Sequence, residues 1–299
     1  MYGAIESRFA DAVKSGNLIF TQTTQIPAKY NGVDVIYTLA PALAKKPGKA
    51  EVEKNSSDPA QKSPWLPPQE DLIIEKQEKY TVVLNKFAVA KYHFLLVTNE
   101  FEKQTKPLSP GDLRAAFDLL KKANSESGKR HIGFYNSGTN SGASIPHRHV
   151  QFLTLPDSFV PFPDQTPRAR KANMPASDTR VPFAHFIAHL DNTDDEELLA
   201  DKYMLALSRA ITTCARHQVP LSYNLVFTEQ WMMATPRFQD KVNDISINSL
   251  GTIGLILAKS DEQLKYVEKH GLGLLEELGF ANVPEPEGAT EIDDGYIKY

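Results

Sequence analysis

Gly133-Phe134-Tyr135-Asn136-Ser137-Gly138-Thr139-Asn140-Ser141-Gly142-Ala143-Ser144-Ile145-Pro146-His147-Arg148-His149-Val150-Gln151-Phe152 is the stretch from which the fold and the chemistry are read. It splits into a β-prone run, a turn rich in glycine and serine, and a second β-prone run. Side chains of a strand alternate between its faces. After Pro146 this alternation puts His147, His149 and Gln151 on one face and Val150 and Phe152 on the other. The apolar face can enter a core. The polar face becomes a row of two imidazoles and a carboxamide on a rigid element, where side chains are held more accurately than on a loop. A neutral imidazole is a competent nucleophile at pH 7, since its unperturbed pKa is near ~6.5. Upstream, Gly138, Gly142 and Ser144 form a turn whose backbone N–H groups can cradle phosphate oxygens, with Asn136 placed to orient the same group. Such a turn feeding a row of histidines points to phosphoryl chemistry, in which positioning and charge stabilisation supply most of the catalysis.

Outward from this stretch, strand and helix patterns alternate. Ile5, Phe9 and Val13 recur every four residues and Gly16 follows, predicting a helix over Ala4–Ser15. Leu72–Glu75, Tyr80–Phe87, Phe94–Thr98, His131–Asn136 and His149–Leu155 read as strands. Pro110–Ala123 reads as a helix with Ser109 as its N-cap. In the second half, Phe183–Leu190, Tyr223–Phe227, Trp231–Ala234 and Ile253–Lys259 read as strands. Helices are expected from about Asp194 to His217 and again from Asp261, where Ser260 and Gln263 have capping-box spacing. Pro41–Pro68 is a Pro-, Lys- and Ser-rich surface loop of the length that lids have. The pattern predicts an α+β fold with one mainly antiparallel sheet flanked by helices. Its halves are expected at about 1–160, carrying Asn136 to Gln151, and about 161–299, completing the sheet and ending in an acidic tail after about 284.

Composition excludes several function classes. The chain has 299 residues and a net charge of −4, against broad electrostatic binding of nucleic acid. It has one cysteine, Cys214, so neither a disulfide framework nor a Cys-rich zinc site can form. No apolar run has membrane-helix length, and the first twenty residues lack a signal-peptide pattern. A reducing compartment is expected, the cytoplasm with the nucleus as the alternative; the oligomeric state is left open, a monomer being compatible with the sequence.

Ser144-x-x-His147-x-His149-x-Gln151, with Asn136 ahead of it, resembles the transferase branch of the histidine-triad superfamily, which includes galactose-1-phosphate uridylyltransferases and diadenosine tetraphosphate phosphorylases, also called ATP adenylyltransferases. The resemblance implies a histidine-triad-like fold of two related halves. It makes His149 the nucleophile, with Gln151 where the hydrolase branch has a third histidine, and gives His147 and Ser144 supporting roles. Leu84-Asn85-Lys86-Phe87 with His93-Phe94-Leu95-Leu96-Val97 looks like the phosphorylases' nucleoside-binding strand pair, implicating Asn85, Lys86 and His93. Tyr223–Phe227, Trp231 and Pro236-Arg237 look like their second-half strands. Asn248, Ser249 and Leu250, with Leu255 and Lys259, look like their C-terminal substrate strand. Asn136, Ser141, Gly142 and Ala143 would bind the substrate phosphates, and Lys54 on the Pro-rich loop would touch phosphate. The likeness runs from about Glu6 to Gly279. Many uridylyltransferases carry a Cys-x-x-Cys zinc pair that this chain cannot, which favours the adenylyl branch.

The resemblance implies phosphorolysis of diadenosine tetraphosphate to ATP and ADP through an adenylyl-histidine, reversibly, with ADP-dependent sulfate adenylylation as an associated activity. The expected ligands are the dinucleoside polyphosphate, ATP, ADP and phosphate. No cofactor is expected beyond a divalent cation, magnesium, accompanying the polyphosphate. Plainer readings stand beside this one. His147 and His149 could be zinc ligands completed by His93 or His131, or polar residues of a sheet edge. His185 and His189 read as structural, Trp231 with Met232 and Met233 as core, and Lys45, Lys46, Lys49 and Lys54 as a solvated charge run. The rival functions are uridylyl or guanylyl transfer to a sugar phosphate and a nucleotide-binding sensor without turnover.

Overall fold

A computed structural model describes residues 1–45, 58–171 and 173–283. Lys46, Lys49, Lys54 and the acidic tail after 284 lie outside the described residues, as does the middle of the loop read as a lid. The elements in chain order are α1 (Tyr2–Ser15), the strands β1 (Thr24–Tyr30), β2 (Val33–Leu39), β3 (Ile73–Lys76), β4 (Tyr80–Leu84) and β5 (Phe94–Thr98), α2 (Pro110–Ser127), β6 (His131–Ser137), β7 (His149–Thr154) and α3 (Phe162–Gln165). They continue with β8 (Phe186–His189), α4 (Glu196–Arg216), β9 (Tyr223–Phe227), β10 (Trp231–Pro236), the short β11 (Lys241–Val242) and β12 (Ile245–Ser246), β13 (Leu255–Ala258), α5 (Asp261–His270) and α6 (Leu274–Leu278).

Eight strands form one sheet in the order β3-β4-β5-β7-β6-β9-β10-β8. Every neighbouring pair is antiparallel. Strands from both halves meet at the β6–β9 seam, where Asn136 faces Asn224 and Ser137 faces Tyr223. The expected shared antiparallel sheet is therefore present. Both of its faces carry apolar residues, as a sheet covered on two sides must, except where His149, Gln151 and Asn136 lie on β7 and β6. On one face Val82, Phe94, Phe152, Tyr135, Phe227 and Met232 pack against α1, α2 and α4. The helices carry their local signals: Gly16 closes α1 in the left-handed conformation, and Ser109 caps α2 in a capping box with Asp112. Gly133 in β6 is required by this packing, since a Cβ there would lie 2.2 Å from the Phe227 ring.

The other face departs from expectation. Helices do not cover it alone. A second, three-stranded sheet, β1-β2-β13, lies over the second-half strands together with α5 and α6. Ile253–Lys259, expected in the common sheet, forms β13 here instead, parallel to β2. Gly254 allows this turn, with φ of 99° and a would-be Cβ 2.7 Å from the Asp34 carbonyl oxygen. The first-half strands are covered on this face by the chain from Pro59 to Leu72, whose Trp65 packs on Ile73, Val83, Leu95 and Val97. Between these two covers the polar row of β7 is reached. Phe183–Leu190 is regular only over Phe186–His189; Phe183, ahead of it, pairs singly with Ala281 outside the main ladder.

Candidate active site

Cross-strand partners share a face, so Phe134 opposite Gln151 puts Asn136, two residues on, on the same face as His149 and Gln151. The β6–β7 ladder does not simply continue to Asn136 and His149. The Gln104 side chain enters between the strands, with its Nε2 donating to the carbonyl oxygens of Asn136 at 2.9 Å and His149 at 3.3 Å. Its Oε1 accepts from the His149 N–H at 2.8 Å. The backbone of the nucleophile candidate is thus fixed without a β-ladder bond to β6. On the far face, Arg148 pairs with Asp112 at 2.8 Å and anchors the start of β7 to the N-terminus of α2.

His149 is 4% exposed. Its Nδ1 lies 2.8 Å from the carbonyl oxygen of His147. A carbonyl only accepts, so Nδ1 carries the proton and the lone pair sits on Nε2. No described residue bonds that Nε2. Burial pushes the imidazole pKa down to about 4, a shift that the bond to the His147 carbonyl opposes. His149 is therefore neutral at pH 7 with its nucleophilic nitrogen free.

His147 does different work. Its Nε2 faces the Glu100 carbonyl oxygen at 3.0 Å and Thr98 Oγ1 at 2.8 Å, so that nitrogen bears the proton. Its Nδ1 then accepts from Ser63 Oγ at 2.6 Å. Ser63 Oγ in turn accepts from the Trp65 N–H. Both ring nitrogens are occupied, and burial lowers the pKa. His147 ties the chain carrying Trp65 down onto the sheet, and the Trp65 ring comes to rest 4.8 Å from the His149 ring.

Two carboxamides flank His149, each gripped by its oxygen. Asn85 Oδ1 accepts from the Phe87 N–H at 3.0 Å, so its Nδ2 is the group that donates to His93 Nδ1 at 3.1 Å. His93 Nε2–H consequently donates to Gln151 Oε1 at 3.1 Å. Burial holds His93 neutral, with a pKa of about 4. The Nε2 of Gln151 has no bond to a described residue and stays available. Asn136 Oδ1 likewise accepts from Asn224 Nδ2 at 2.9 Å and from the N–H and Oγ of Ser249 at 2.9 and 2.7 Å. Its Nδ2 is the group left over. His93, read as a nucleoside contact, is 6% exposed and has both nitrogens spent on protein. It stands behind Gln151 and does not line the pocket.

A cavity of about 560 Å³ opens on the Trp65 side of His149, lined by Trp65, Phe87 and Leu95 together with Asn85, Lys86 and Ser144. This is the mixed lining of a small-ligand site, apolar walls with a few polar groups. Phe87 is 49% exposed at its mouth. Ser144 is exposed, whereas Ser141 is buried and spends its hydroxyl on the Gly138 carbonyl at 2.7 Å. Gly142 adopts φ 82°, and a Cβ would meet the Ile247 carbonyl oxygen at 3.0 Å. The turn through Ala143 therefore packs on the segment holding Asn248, Ser249 and Leu250, where Asn248 caps a short 3-10 turn by accepting from the Leu250 N–H. Leu255 lies on β13 in the second sheet. Lys259, just beyond it, is exposed, and its N–H bonds Gln263. No bond ties either residue to His149 or Gln151.

The metal reading fails on geometry. His131 is engaged on the opposite side with Asn124 and Thr154, and no group of three His, Cys, Asp or Glu among the described residues could hold an ion. His185 and His189 bond main-chain groups, and Trp231, Met232 and Met233 are core. No helix among the described residues is long and apolar enough to cross a membrane. Sequence reading missed Trp65, Gln104 and Asn224. A lone tryptophan between prolines was the available signal for Trp65; the other two are ordinary polar residues with no local signature.

The sequence model described as Ap4A phosphorylase N-terminal domain matches residues 1–167, and that described as ATP adenylyltransferase C-terminal domain matches residues 179–281. The protein APA1 of Saccharomyces cerevisiae is 36% identical over 307 residues, 93% of this chain and 94% of its own length. Diadenosine 5',5'''-P1,P4-tetraphosphate phosphorylase 2 of the same yeast is 34% identical over 289 residues, 87% of this chain and 88% of its own. The crystal structure of yeast Ap4A phosphorylase Apa2 in complex with Ap4A superposes with a TM-score of 0.82 at 31% identity, covering 94% of this chain and 98% of that one. The Apa2 complex with AMP gives 0.80 at 31% identity, covering 95% and 97%.

Proposed function

The chain belongs to the Ap4A phosphorylase (ATP adenylyltransferase) family, a nucleotidyltransferase that phosphorolyses diadenosine tetraphosphate, and from that premise we propose that His149 is the covalent nucleophile. The observation that carries this is the bond from His149 Nδ1 to the His147 carbonyl, which leaves Nε2 as a free, unprotonated nitrogen. One adenosine of the substrate occupies the cavity bounded by Trp65 and Phe87, and the adjoining α-phosphate meets Nε2. The lone pair attacks phosphorus in line, the bond to the bridging oxygen breaks, and ATP leaves with its electron pair. The adenylylated imidazole is cationic, and its Nδ1–H donates to the His147 carbonyl throughout. Phosphate then attacks the same phosphorus. The P–N bond breaks, its electron pair returns to Nε2, and ADP forms. Two displacements divide one difficult transfer into two easier ones.

Asn136 and Gln151 present their free NH2 groups to the non-bridging oxygens, with Ser144 and the backbone N–H groups of the Gly142–Ser144 turn beside them. Donors fixed before the substrate arrives do not reorganise as charge develops. Gln151 has no titrating site near pH 7, so it neither activates water nor protonates a leaving group. That favours an anionic acceptor over hydrolysis. Incubation with diadenosine tetraphosphate, with and without phosphate, tests the reading. Equal ATP and ADP in phosphate support it. AMP as the main product at saturating phosphate would make the enzyme a hydrolase. Faster turnover of a uridine or guanosine sugar nucleotide would move it to the rival branch.

A further inference from the structure

Arg237, just beyond β10, is 0% exposed. Every hydrogen bond of its guanidinium ends on a neutral oxygen. Nη1 donates to Asn224 Oδ1 at 2.6 Å and to the Ile247 carbonyl at 3.0 Å. Nη2 donates to the Gln239 carbonyl at 3.0 Å and Nε to the Leu278 carbonyl at 3.3 Å. Among the described residues no carboxylate forms a salt bridge with it, and the charge of Asp240 raises its pKa without a hydrogen bond. A buried cation without a counter-ion is costly, and burial pushes its pKa down to about 9, which still leaves it charged at pH 7. A residue kept at such a cost for stability alone would be better replaced by an apolar one.

What Arg237 holds explains its position. By fixing Asn224 Oδ1 it turns Asn224 Nδ2 toward Asn136 Oδ1 and the Ser141 carbonyl, at 2.9 and 2.8 Å. By fixing the Ile247 carbonyl it steadies the segment whose Ser249 also donates to Asn136 Oδ1. Both lines converge on one carboxamide oxygen, and both leave the Asn136 NH2 to face outward beside His149.

We propose that Arg237 is a positioning residue for the phosphoryl group: it presets Asn136 through Asn224, and its buried charge adds to the attraction for the anionic substrate. This rests on the reading of His149 and Asn136 as the phosphate site. The charge acts through a low-dielectric interior, where screening by solvent is weak. It serves the anion and not the nucleoside.

The test compares AMP with adenosine by calorimetric titration of the full chain. Arg237→Gln keeps a donor toward Asn224 and removes the charge. Arg237→Lys keeps the charge. Asn224→Asp keeps Arg237 but sets a carboxylate against it, and serves if Arg237→Gln does not fold. AMP affinity is expected to fall about tenfold or more in Arg237→Gln and Asn224→Asp, to stay within a few-fold of the parent in Arg237→Lys, and adenosine affinity to stay unchanged in all three. A purely structural arginine would weaken both ligands together, and folded variants that bind AMP as the parent does would overturn the proposal outright. A parent protein that binds neither ligand would instead refute the site itself.

Discussion

The Nδ1 of His149 bonds the carbonyl oxygen of His147 at 2.8 Å, and in the second half of the sheet His185 Nδ1 bonds the Phe183 carbonyl, also two residues back, at 2.8 Å. The two imidazoles differ in their other nitrogen. His185 Nε2 accepts from the Asp178 N–H at 2.8 Å, while no described residue meets His149 Nε2. One arrangement, a histidine locked in a single tautomer by the carbonyl two residues back, serves packing in one place and leaves an unprotonated nitrogen free in the other.

That locking has a pH signature. His93, His131, His149 and His185 are each pushed by burial to a pKa of about 4, below the unfolded value near ~6.5. Between these values the unfolded chain binds more protons than the folded one. Stability is therefore full above about pH 6.5 and declines as pH falls toward 4. Urea midpoints at pH 7 and pH 5 should show this loss, and the acid limb of kcat/KM should lie near pH 4 and not near 6.5. A rate that halves near pH 6.5 in a still-folded enzyme contradicts the assignment of His149 as buried and neutral.

His147 links the Trp65 segment to the sheet through Ser63, so its loss should loosen the nucleoside wall more than it harms chemistry. His147→Ala and Ser63→Ala are expected to raise KM several-fold, with a smaller fall in kcat than His149→Ala produces. Steady-state kinetics of the three variants read this out. A His147→Ala protein as dead as His149→Ala, though folded, would assign His147 a chemical step.

His93 orients Gln151 by donating one hydrogen bond. His93→Leu leaves the Gln151 amide free to turn its oxygen toward the phosphate, and kcat should fall roughly tenfold to a hundredfold. His93→Gln, whose amide can accept from Asn85 and donate to Gln151, should recover part of it. Equal losses in the two variants would show that the site needs the imidazole's shape and not its donor.

Gln151→His changes the fate of the adenylyl group. An imidazole at 151 can accept from His93 Nε2–H through one nitrogen and handle a proton with the other. AMP release relative to ATP and ADP formation should rise, read over a range of phosphate concentrations. An unchanged ratio means that acceptor binding, and not the residue at 151, excludes water.

Much of this was legible in one stretch of sequence. Alternation after Pro146 gave His149 and Gln151 a shared face, and Ser109, Ser260 and Gly16 marked helix ends where the structure has them. The hairpin of β1 and β2 was readable too but overlooked: Asn31 and Gly32 take φ of 47° and 80° in its turn, as Asn-Gly turns do. Three things were not legible. Leu255–Ala258 reads as a strand in any sheet, and only the Gly254 approach to Asp34 sends it to the second one. His93 and His149 look alike in sequence, but His93 spends both ring nitrogens on Asn85 and Gln151 whereas His149 Nε2 meets no described residue. Arg237, Asn224 and Asn136 are joined only by contacts between segments distant in sequence, and no local pattern shows that the arginine bonds only neutral oxygens among the described residues.

The central claim is a covalent bond to His149. Purified enzyme and the His149→Ala variant should be mixed with diadenosine tetraphosphate labelled at the α-phosphate, without phosphate, then quenched and resolved from free nucleotide. Label is expected on the parent protein alone, lost in acid, retained in alkali and chased into ADP by phosphate. Label that survives acid, or that appears equally on folded His149→Ala, would place the bond on another residue and contradict it.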